Sequence, residues 1–270
     1  MMQKNPKITI VTPIYNGEEY IEKCIQSLMH QEYENFEHII VDGGSTDQTI
    51  EIIKGYQGKY PMKWISEPDE GMYDAINKGF KMASGEIFAW LNADDFYFPW
   101  TLSVVAKVFE KEQIEWLTGI PSNTKIYDNV SVTYQLPNLP PVYCTPLIKM
   151  GAYDGVRISF VQQESCFWTK ALWEICGGID SSYKMAGDYF LWKSFAKHAR
   201  LYSVQCNLAS FRIHRGQKSS DLNQYHHEIG KNRNTHPFSM IYQIYAIIYS
   251  LVRYRKYVVN LDDLYGDKGK

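Results

Sequence analysis

The chain has 270 residues, with 28 Lys and Arg against 30 Asp and Glu and a formal net charge of −2. Apolar residues make up 45% of the sequence and charged residues 21%, values that allow a sizeable core and exclude wholesale disorder. The balanced charge lacks the basic excess of a nucleic-acid-binding protein, so we expect no nucleic-acid partner. Five cysteines without a C-x-x-C pair argue against a disulfide scaffold or a structural zinc cluster.

The first 120 residues alternate between short apolar runs of strand length and patterns with helical spacing. The predicted strands are 8–13, 36–41, 62–65, 87–91 and 114–117. The predicted helices are 20–29, 49–56, 72–82 and 100–109. Strands and helices that alternate through short connections predict an α/β fold whose parallel sheet carries helices on its faces.

This alternation stops after residue 120. Residues 121–155 contain five prolines and segments that alternate between polar and apolar, which predicts an antiparallel excursion. Short strands and helices return over 158–213, residues 221–234 are polar and helical, and 237–259 form an aromatic-rich helix. The sequence therefore divides into three parts, 1–120, 121–220 and 221–270.

Polar residues cluster where each of the first four predicted strands ends. The clusters read T-P-I-Y-N at 12–16, D-G-G-S at 42–45, E-P-D-E-G at 67–71 and N-A-D-D at 92–95. Ligands of open parallel sheets bind beyond the carboxyl ends of the strands, so these clusters predict one shared crevice. Neither a G-x-G-x-x-G dinucleotide fingerprint nor a G-x-x-x-x-G-K-[ST] loop is present in the sequence to explain them.

The ordered motifs V-T-P-I-Y-N-G, V-D-G-G-S-T-D, E-P-D-E-G-M-Y-D-A-I-N-K-G and W-L-N-A-D-D resemble those of glycosyltransferase family 2, which has the GT-A fold. The resemblance is close over roughly the first 110 residues and resumes more loosely at A-G-D-Y (186–189) and F-R-I-H-R-G-Q (211–217). It implies an inverting, metal-dependent transfer of a hexosyl group from a nucleoside diphosphate sugar, UDP-linked, to a hydroxyl of a glycan or a lipid-linked saccharide. Such a reaction belongs to polysaccharide or glycoconjugate biosynthesis.

The same resemblance assigns the three parts of the chain. Residues 1–120 are the nucleotide-sugar-binding half, 121–220 the acceptor-binding and catalytic half, and 221–270 a helical tail. Two other classes stay open: a sugar nucleotidyltransferase, and a non-catalytic module that binds nucleotide sugars. The first normally has a Gly-rich basic loop after its first strand, which residues 12–17 lack, and the second needs no candidate base.

Residues at the strand ends are the expected contacts of the donor. Asp42 is similar to the family residue that accepts a hydrogen bond from the base, although a turn cap ahead of Gly43 is the alternative. Pro13 and Tyr15 are expected to line the base pocket. The other expected donor contacts are Thr12, Asn16, Asp69, Gly71, Asp74, Asn77, Asn92 and Asp94. At Asn92 the family often has Asp.

The adjacent acids Asp94 and Asp95 predict a metal site. Two carboxylates at one strand end repel each other unless a cation neutralises them. Mn²⁺ or Mg²⁺ needs only one or two protein carboxylates when phosphate oxygens complete its coordination. The resemblance assigns Asp95 to the metal, Asp94 to the ribose or the metal's water shell, and His214 to the metal or a phosphate. Three cations near His214 are expected to attract the leaving diphosphate: Arg212, Arg215 and Lys218.

Asp188, in A-G-D-Y, is similar to the family's catalytic base, with a helix N-cap as the alternative. Glu164 competes for this role and is expected instead to bind the acceptor or shape the sugar pocket. Trp168 is a candidate for stacking on a sugar ring, with core packing as the alternative.

The tail helix carries an apolar stripe followed by cations. The stripe consists of Phe238, Ile241, Ile244, Tyr245, Ile248 and Val252, and the cations are Arg253, Arg255 and Lys256. We expect the stripe to dock on the domain, with a membrane interface over 237–259 as the alternative. Because the amino-terminal residues lack the apolar core of a secretory signal, we expect a cytoplasmic protein, peripheral on the inner face of the membrane if the tail contacts lipid.

Overall fold

The computed structural model describes residues 4–127, 130–135, 142–214, 216–217, 219, 221–230 and 239–265. It confirms the predicted α/β fold. The strands are β1 (Ile8–Ile14), β2 (Phe36–Asp42), β3 (Met62–Ser66), β4 (Ile87–Trp90), β5 (Phe96–Tyr97), β6 (Trp116–Thr118), β7 (Ser122–Tyr127), β8 (Val130–Gln135), β9 (Cys166–Thr169), β10 (Leu201–Val204), β11 (Ala209–Ile213) and β12 (Val258–Val259).

Helices follow most of the strands in the first half, as predicted. They are α1 (Ile21–Met29), α2 (Thr49–Tyr56), α3 (Met72–Lys81), α4 (Thr101–Lys111), α5 (Thr145–Lys149), α6 (Lys170–Cys176), α7 (Gly187–Phe195), α8 (Leu222–Glu228), α9 (Ser239–Tyr257) and α10 (Leu261–Tyr265). The predicted bounds of the first 120 residues differ from these by at most two residues. Local apolar periodicity was therefore enough to locate these elements.

The main sheet has the strand order β12-β10-β6-β9-β4-β1-β2-β3. Strands β1 to β4 are parallel to one another, whereas β9 runs antiparallel between β4 and β6. In this register Ile14 pairs with Asp42, and Asp42 with Ser66. The carboxyl ends of the first strands, with their polar clusters, consequently meet at one edge.

A smaller sheet has the order β5-β11-β7-β8. Strands β7 and β8 form an antiparallel hairpin, which agrees with the antiparallel excursion predicted after residue 120. Strand β11 pairs with β5 and β7 and so returns the chain to the segment that follows β4. This return brings the region of His214 beside the N-A-D-D cluster.

Alternating residues of the main strands bury two apolar cores on opposite faces of the sheet. One core lies under α1, α4 and α10, and the other under α3, α6 and α7. Trp168 is completely buried in the second core, where its ring centroid lies 5.4 Å from that of Trp90. The prediction that Trp168 stacks on a sugar is therefore wrong, because its ring is already packed against other aromatic side chains.

The tail helix α9 docks on the domain, but not through the predicted stripe. Tyr242, Ala246 and Tyr249 pack against the second core. The predicted stripe faces solvent instead: its exposed members are Ile241, Ile244, Tyr245, Ile248 and Val252. Phe238 lies outside the described residues. Over the part of the chain that the structure describes, no helix has the length and apolarity that crossing a membrane requires.

Candidate active site

A cavity of about 1280 Å³ opens at the carboxyl ends of β1 and β4. Ten of the predicted site residues line it: Pro13, Tyr15, Asn16, Asp69, Gly71, Asn92, Asp94, Glu164, Asp188 and His214. The cavity is larger than the ~300–1,000 Å³ that is usual for one small ligand, which suits a site for two substrates. It therefore brings together most of the donor, metal and base candidates.

Asp94 and His214 form a pair on one wall of this cavity. His214 Nε2 lies 3.0 Å from Asp94 Oδ2. The imidazole also packs on Tyr20, with ring centroids 4.2 Å apart, and the His214 backbone N–H donates to Gln217 Oε1 at 2.9 Å. These contacts fix an imidazole and a carboxylate side by side at the end of β4.

Arg212 holds the loop that carries Asp94. Its guanidinium donates to the backbone carbonyl oxygens of Asp94, of Ala93 at 3.0 Å and of Tyr20 at 3.0 Å. Arg212 is buried and does not line the cavity, so the expectation that it attracts the diphosphate is wrong. The other two cations of that prediction, Arg215 and Lys218, lie outside the described residues.

Asp95, the predicted metal ligand, is completely buried behind Asp94 and does not line the cavity. Its Oδ1 accepts a hydrogen bond from the Arg212 backbone N–H at 2.9 Å. Burial raises the pKa of this carboxyl well above its ordinary range, and the charges of Asp94 and Glu164 raise it further. Asp95 Oδ2 is buried and has no hydrogen-bond partner among the described residues, whereas Asp94 is the carboxylate that faces the cavity.

The chemistry of this wall fits a divalent cation. Besides Asp94 and His214 it offers Asn92, whose Oδ1 is buried and accepts no hydrogen bond within the described residues. Across those residues no cluster of three or more His, Cys, Asp and Glu could hold a metal by itself. A Mn²⁺ or Mg²⁺ ion there would need oxygen ligands from a substrate, which is how these ions bind to nucleotide phosphates.

Asp42 and Thr12 were expected at the nucleotide, but both are completely buried and neither lines the cavity. Asp42 Oδ2 accepts hydrogen bonds from the Gly44 and Ser45 backbone N–H groups, both at 2.9 Å, and from Ser66 Oγ at 2.7 Å. The turn-cap alternative is therefore correct for Asp42. Thr12 Oγ1 lies 2.8 Å from His38 Nε2 inside the fold.

Asp69, and not Asp42, is the carboxylate that lines the cavity next to the D-G-G-S turn. It lies directly against Gly43, where an added Cβ would be 2.6 Å from Asp69 Oδ2, so a larger residue there would force the Asp69 carboxylate to move. Asp69 Oδ1 accepts a hydrogen bond from the Gly71 backbone N–H at 2.8 Å. Tyr15, 63% exposed, forms the rim beside it.

Asp74 and Asn77 do not line the cavity, contrary to expectation. Asp74 Oδ2 accepts from the Glu70 backbone N–H at 3.2 Å and pairs with Lys78 at 3.3 Å. Asn77 bonds both backbone groups of Ile179, donating at 2.7 Å and accepting at 3.2 Å. These two side chains stabilise the loops around α3 rather than contact a ligand.

Asp188 lies in the first turn of α7, half-buried, and also lines the cavity. The N-cap is Ala186, so the alternative reading of Asp188 as a cap is wrong. Burial raises the pKa of Asp188 to about 6, and the charge of Glu228 adds to this, against the lowering effect of the Tyr189 backbone N–H. A carboxylate with this pKa is mostly ionised at neutral pH and remains a useful base.

Glu228 is a residue that sequence reasoning missed. Its carboxylate accepts hydrogen bonds from the backbone N–H groups of Lys184 at 3.0 Å and of Met185 and Ala186, both at 2.9 Å. It thereby holds the loop that leads into α7 and Asp188. The sequence contains no local signal of this contact, because Glu228 lies in a different polar helix, α8.

Glu164 lies in a 3₁₀ turn (Gln163–Ser165) just before β9. The side chain is buried at the cavity wall, and its Oε1 has no hydrogen-bond partner among the described residues. Burial raises the pKa of Glu164 to about 8, and the charges of Asp94 and Asp188 raise it too. At neutral pH Glu164 is thus mostly protonated, which makes Asp188 the better base and Glu164 a hydrogen-bond donor.

Comparisons with known proteins indicate the family and the fold of the chain. Residues 9–137 match the family described as "Glycosyl transferase family 2". An uncharacterized glycosyltransferase of Rickettsia typhi is 27% identical over 82% of this chain, which spans 68% of that relative. An uncharacterized glycosyltransferase of Nostoc sp. is 28% identical over 77% of this chain and 65% of its own length.

Solved glycosyltransferase structures have the same fold. S. aureus TarS in complex with UDP-GlcNAc superposes with a TM-score of 0.63 at 21% identity, covering 80% of this chain and 61% of that structure. Mannosyltransferase PcManGT from Pyrobaculum calidifontis, in complex with GDP-Man and Mn²⁺, gives 0.60 at 18% identity, covering 91% and 70%. These likenesses establish the GT-A architecture.

Proposed function

Residues 9–137 match glycosyltransferase family 2 and the chain has the GT-A fold, and we propose that it transfers a hexosyl group from a nucleoside diphosphate sugar, UDP-linked, to a hydroxyl of a glycan or a lipid-linked saccharide. One observation carries this proposal: a single cavity is lined both by the Asp94–His214 pair and by Asp188. The diphosphate of the donor needs a site for a cation, which the Asp94–His214 pair provides. The acceptor hydroxyl needs a base on the other side of the transferred sugar, which Asp188 provides. The match of residues 9–137 to a glycosyltransferase family argues against the nucleotidyltransferase and non-catalytic alternatives.

The donor binds in this proposal along the ends of β1 to β4, within the predicted half 1–120. Tyr15 offers an aromatic face to the base, and Asp69 takes the role that was predicted for Asp42, accepting a base N–H. Gly71 lies directly before α3, whose amino-terminal N–H groups and dipole favour the negative diphosphate. The complexes of TarS with UDP-GlcNAc and of PcManGT with GDP-Man support a nucleotide-sugar donor.

Asp94 and His214 would hold a divalent cation, Mn²⁺ or Mg²⁺, with Asn92 Oδ1 close to it and phosphate oxygens completing the coordination. Such an ion, when bound, stabilises the negative charge that grows on the departing diphosphate. The structure of PcManGT with Mn²⁺ supports this dependence on metal.

Asp188 then acts as the general base. Its carboxylate accepts the proton of the acceptor hydroxyl while the hydroxyl oxygen attacks the anomeric carbon from the side opposite the diphosphate, which inverts that centre. Glu164, protonated, donates a hydrogen bond to a sugar hydroxyl or to the acceptor. The acceptor lies against the 121–220 part of the chain, where Tyr143, Tyr153 and Phe160 supply aromatic wall.

A thermal-shift panel tests the donor proposal. Ligands that bind only the folded chain raise its melting temperature, by an amount that grows with affinity. We expect UDP-sugars with Mn²⁺ to raise it, GDP-sugars to raise it less, and both to fail when Mn²⁺ is removed with EDTA. Equal stabilisation by all nucleotides, or none, would reject a UDP-sugar donor.

The Asp188→Asn variant tests the transfer step. Because the amide keeps the shape but cannot accept the proton, release of UDP in the presence of saccharide acceptors should fall about 10²–10⁴-fold while the donor-induced thermal shift is retained. If transfer continues at the wild-type rate, Asp188 is not the base, and Glu164→Gln is then the variant to assay. Detection of inorganic pyrophosphate as the product would contradict glycosyl transfer altogether.

A further inference from the structure

One face of α9 is firmly attached to the domain. The Arg200 guanidinium donates to the Tyr249 hydroxyl at 2.6 Å and lies 4.1 Å from the ring centroid of Tyr257. The Arg157 guanidinium lies 5.4 Å from the ring centroid of Tyr242. Aromatic and cationic contacts therefore fix both the position of the helix and its rotation about its own axis.

The opposite face of α9 is an exposed apolar surface, which we call the α9 apolar face. Its members are Met240, Ile241, Ile244, Ile247, Ile248, Leu251 and Val252, each about half exposed or more. Leu251 and Val252 are 74% and 71% exposed. Soluble monomers rarely present so many large apolar side chains in one continuous patch unless the patch has a partner.

Charge identifies the kind of partner. The last turns of α9 carry Arg253, Arg255 and Lys256, all exposed, and the helix has no Asp or Glu. The next acidic side chains in the sequence, Asp262 and Asp263, belong to α10, whose Leu264 is buried in the core on the other face of the sheet. An apolar face edged by cations matches an anionic lipid surface, into which the apolar side chains insert while the cations stay at the headgroups.

The α9 apolar face also borders the active-site cavity. Gln243, Ala246, Ile247 and Ser250 belong to the cavity lining, and Ile247 is at the same time part of the exposed face. A surface pressed against this face would therefore lie next to the cavity. This arrangement is what delivery of an acceptor from a membrane requires.

We infer that the α9 apolar face docks on a bilayer that contains anionic lipids, so that the helix lies in the plane of the interface. A second copy of this chain is the competing occupant of the face. It is disfavoured because it would bring the same cations without helix carboxylates to neutralise them. The inference concerns the partner of α9 and holds independently of the transfer chemistry proposed above.

Vesicle co-sedimentation of the full chain tests the inference, with phosphatidylcholine vesicles alone or mixed with phosphatidylglycerol. Wild type should sediment with the mixed vesicles. Replacing Ile244→Gln and Ile248→Gln together should weaken this binding at least tenfold, because each loses buried apolar surface. The matched control is Ile175→Gln on α6, an isoleucine that is at least as exposed but lies on another helix, and this variant should bind like wild type.

The cations at the end of α9 provide a second test of the inference in the same vesicle assay. Arg253→Gln, Arg255→Gln and Lys256→Gln together should reduce binding to the mixed vesicles about tenfold or more and abolish the preference for phosphatidylglycerol. Binding of wild type to neither vesicle, or an equal loss in Ile175→Gln, overturns the inference. So does a lipid-free dimer that the Ile244→Gln/Ile248→Gln variant converts to monomer in sedimentation velocity. Because the replaced side chains are exposed, unchanged melting temperatures and donor-induced shifts confirm that the variants are folded.

Discussion

Glu228 Oε2 lies 2.9 Å from the backbone nitrogen of Ala186, the residue that caps α7. The same carboxylate also accepts from Met185 and Lys184. Three backbone N–H groups thus converge on one side chain from a different part of the chain. The position of Asp188, two residues beyond Ala186, consequently depends on an anchor that does not itself line the cavity.

Replacing this anchor should slow catalysis without removing any reacting group. Glu228→Gln keeps one acceptor oxygen and loses the other, so the loop before α7 loosens and Asp188 is positioned less accurately. We expect kcat to fall roughly ten- to a hundredfold, with the donor Kd nearly unchanged. The same variant should shift the acidic limb of the rate profile to lower pH, since the charge of Glu228 raises the pKa of Asp188.

The matched control is Glu174→Gln, an exposed glutamate on α6. It should leave both kcat and the pH profile unchanged. A Glu228→Gln variant that loses donor affinity as much as kcat, or that keeps the wild-type pH limb, would show that Glu228 has no specific role toward Asp188.

The pH dependence of wild type should report Asp188. A general base is active when ionised, and the pKa of Asp188 is raised to about 6. Activity should therefore be nearly constant above pH 7 and fall about tenfold per pH unit well below pH 6. Profiles of kcat/KM against pH for wild type and Asp188→Asn test this prediction. The fall at acidic pH should be present in wild type and absent from any residual activity of Asp188→Asn.

Replacing Asp94 and replacing its neighbour Asp95 should have different effects on metal affinity. Asp94→Ala removes the carboxylate that faces the cavity, so Mn²⁺-dependent binding of the nucleotide should weaken by about tenfold or more. Asp95→Asn preserves an oxygen for the Arg212 backbone N–H and should leave metal affinity within about threefold of wild type. Calorimetric titration of Mn²⁺ with UDP present measures both, and the reverse order of effects would restore Asp95 as the ligand.

Glu164 should make stability depend on pH in a direction opposite to that of an ordinary carboxylate. Its folded-state pKa of about 8 lies above the ordinary value of 4.5, so the stabilisation it contributes is complete at pH 4 and is lost as pH rises to about 8. Because Gln does not titrate, the melting temperature of Glu164→Gln relative to wild type should rise across that range and then level off. Exposed Glu51→Gln, measured in the same EDTA-containing buffers, should show no such trend.

The first half of the fold could be predicted because its signals are local. Runs such as 8–13 and 36–41 contain their own periodicity, and the parallel order places their ends together without further information. The sequence could not predict which of Asp94 and Asp95 faces the cavity, because this depends on a distant residue. The backbone N–H of Arg212 donates a hydrogen bond to Asp95 in the interior.

The tail illustrates the same limit. Helical spacing correctly predicted that α9 has an apolar stripe, but periodicity does not say which face of a helix meets the domain. Arg157 contacts Tyr242 and Arg200 contacts Tyr249, so this face of α9 lies against the domain. The predicted stripe consequently faces solvent. Glu228, whose role depends on a contact between α8 and a distant loop, was equally inaccessible.

Strand β9 constrains how the enzyme can move. It is hydrogen-bonded to β4 on one side and to β6 on the other, so the proposed donor-binding and acceptor-binding parts of the chain share one continuous sheet. Hinge rotation of one half against the other would have to break those ladders. Opening and closing around substrates must then come from loops at the sheet edge, and hydrogen exchange should be slow in β9 even while those loops exchange fast.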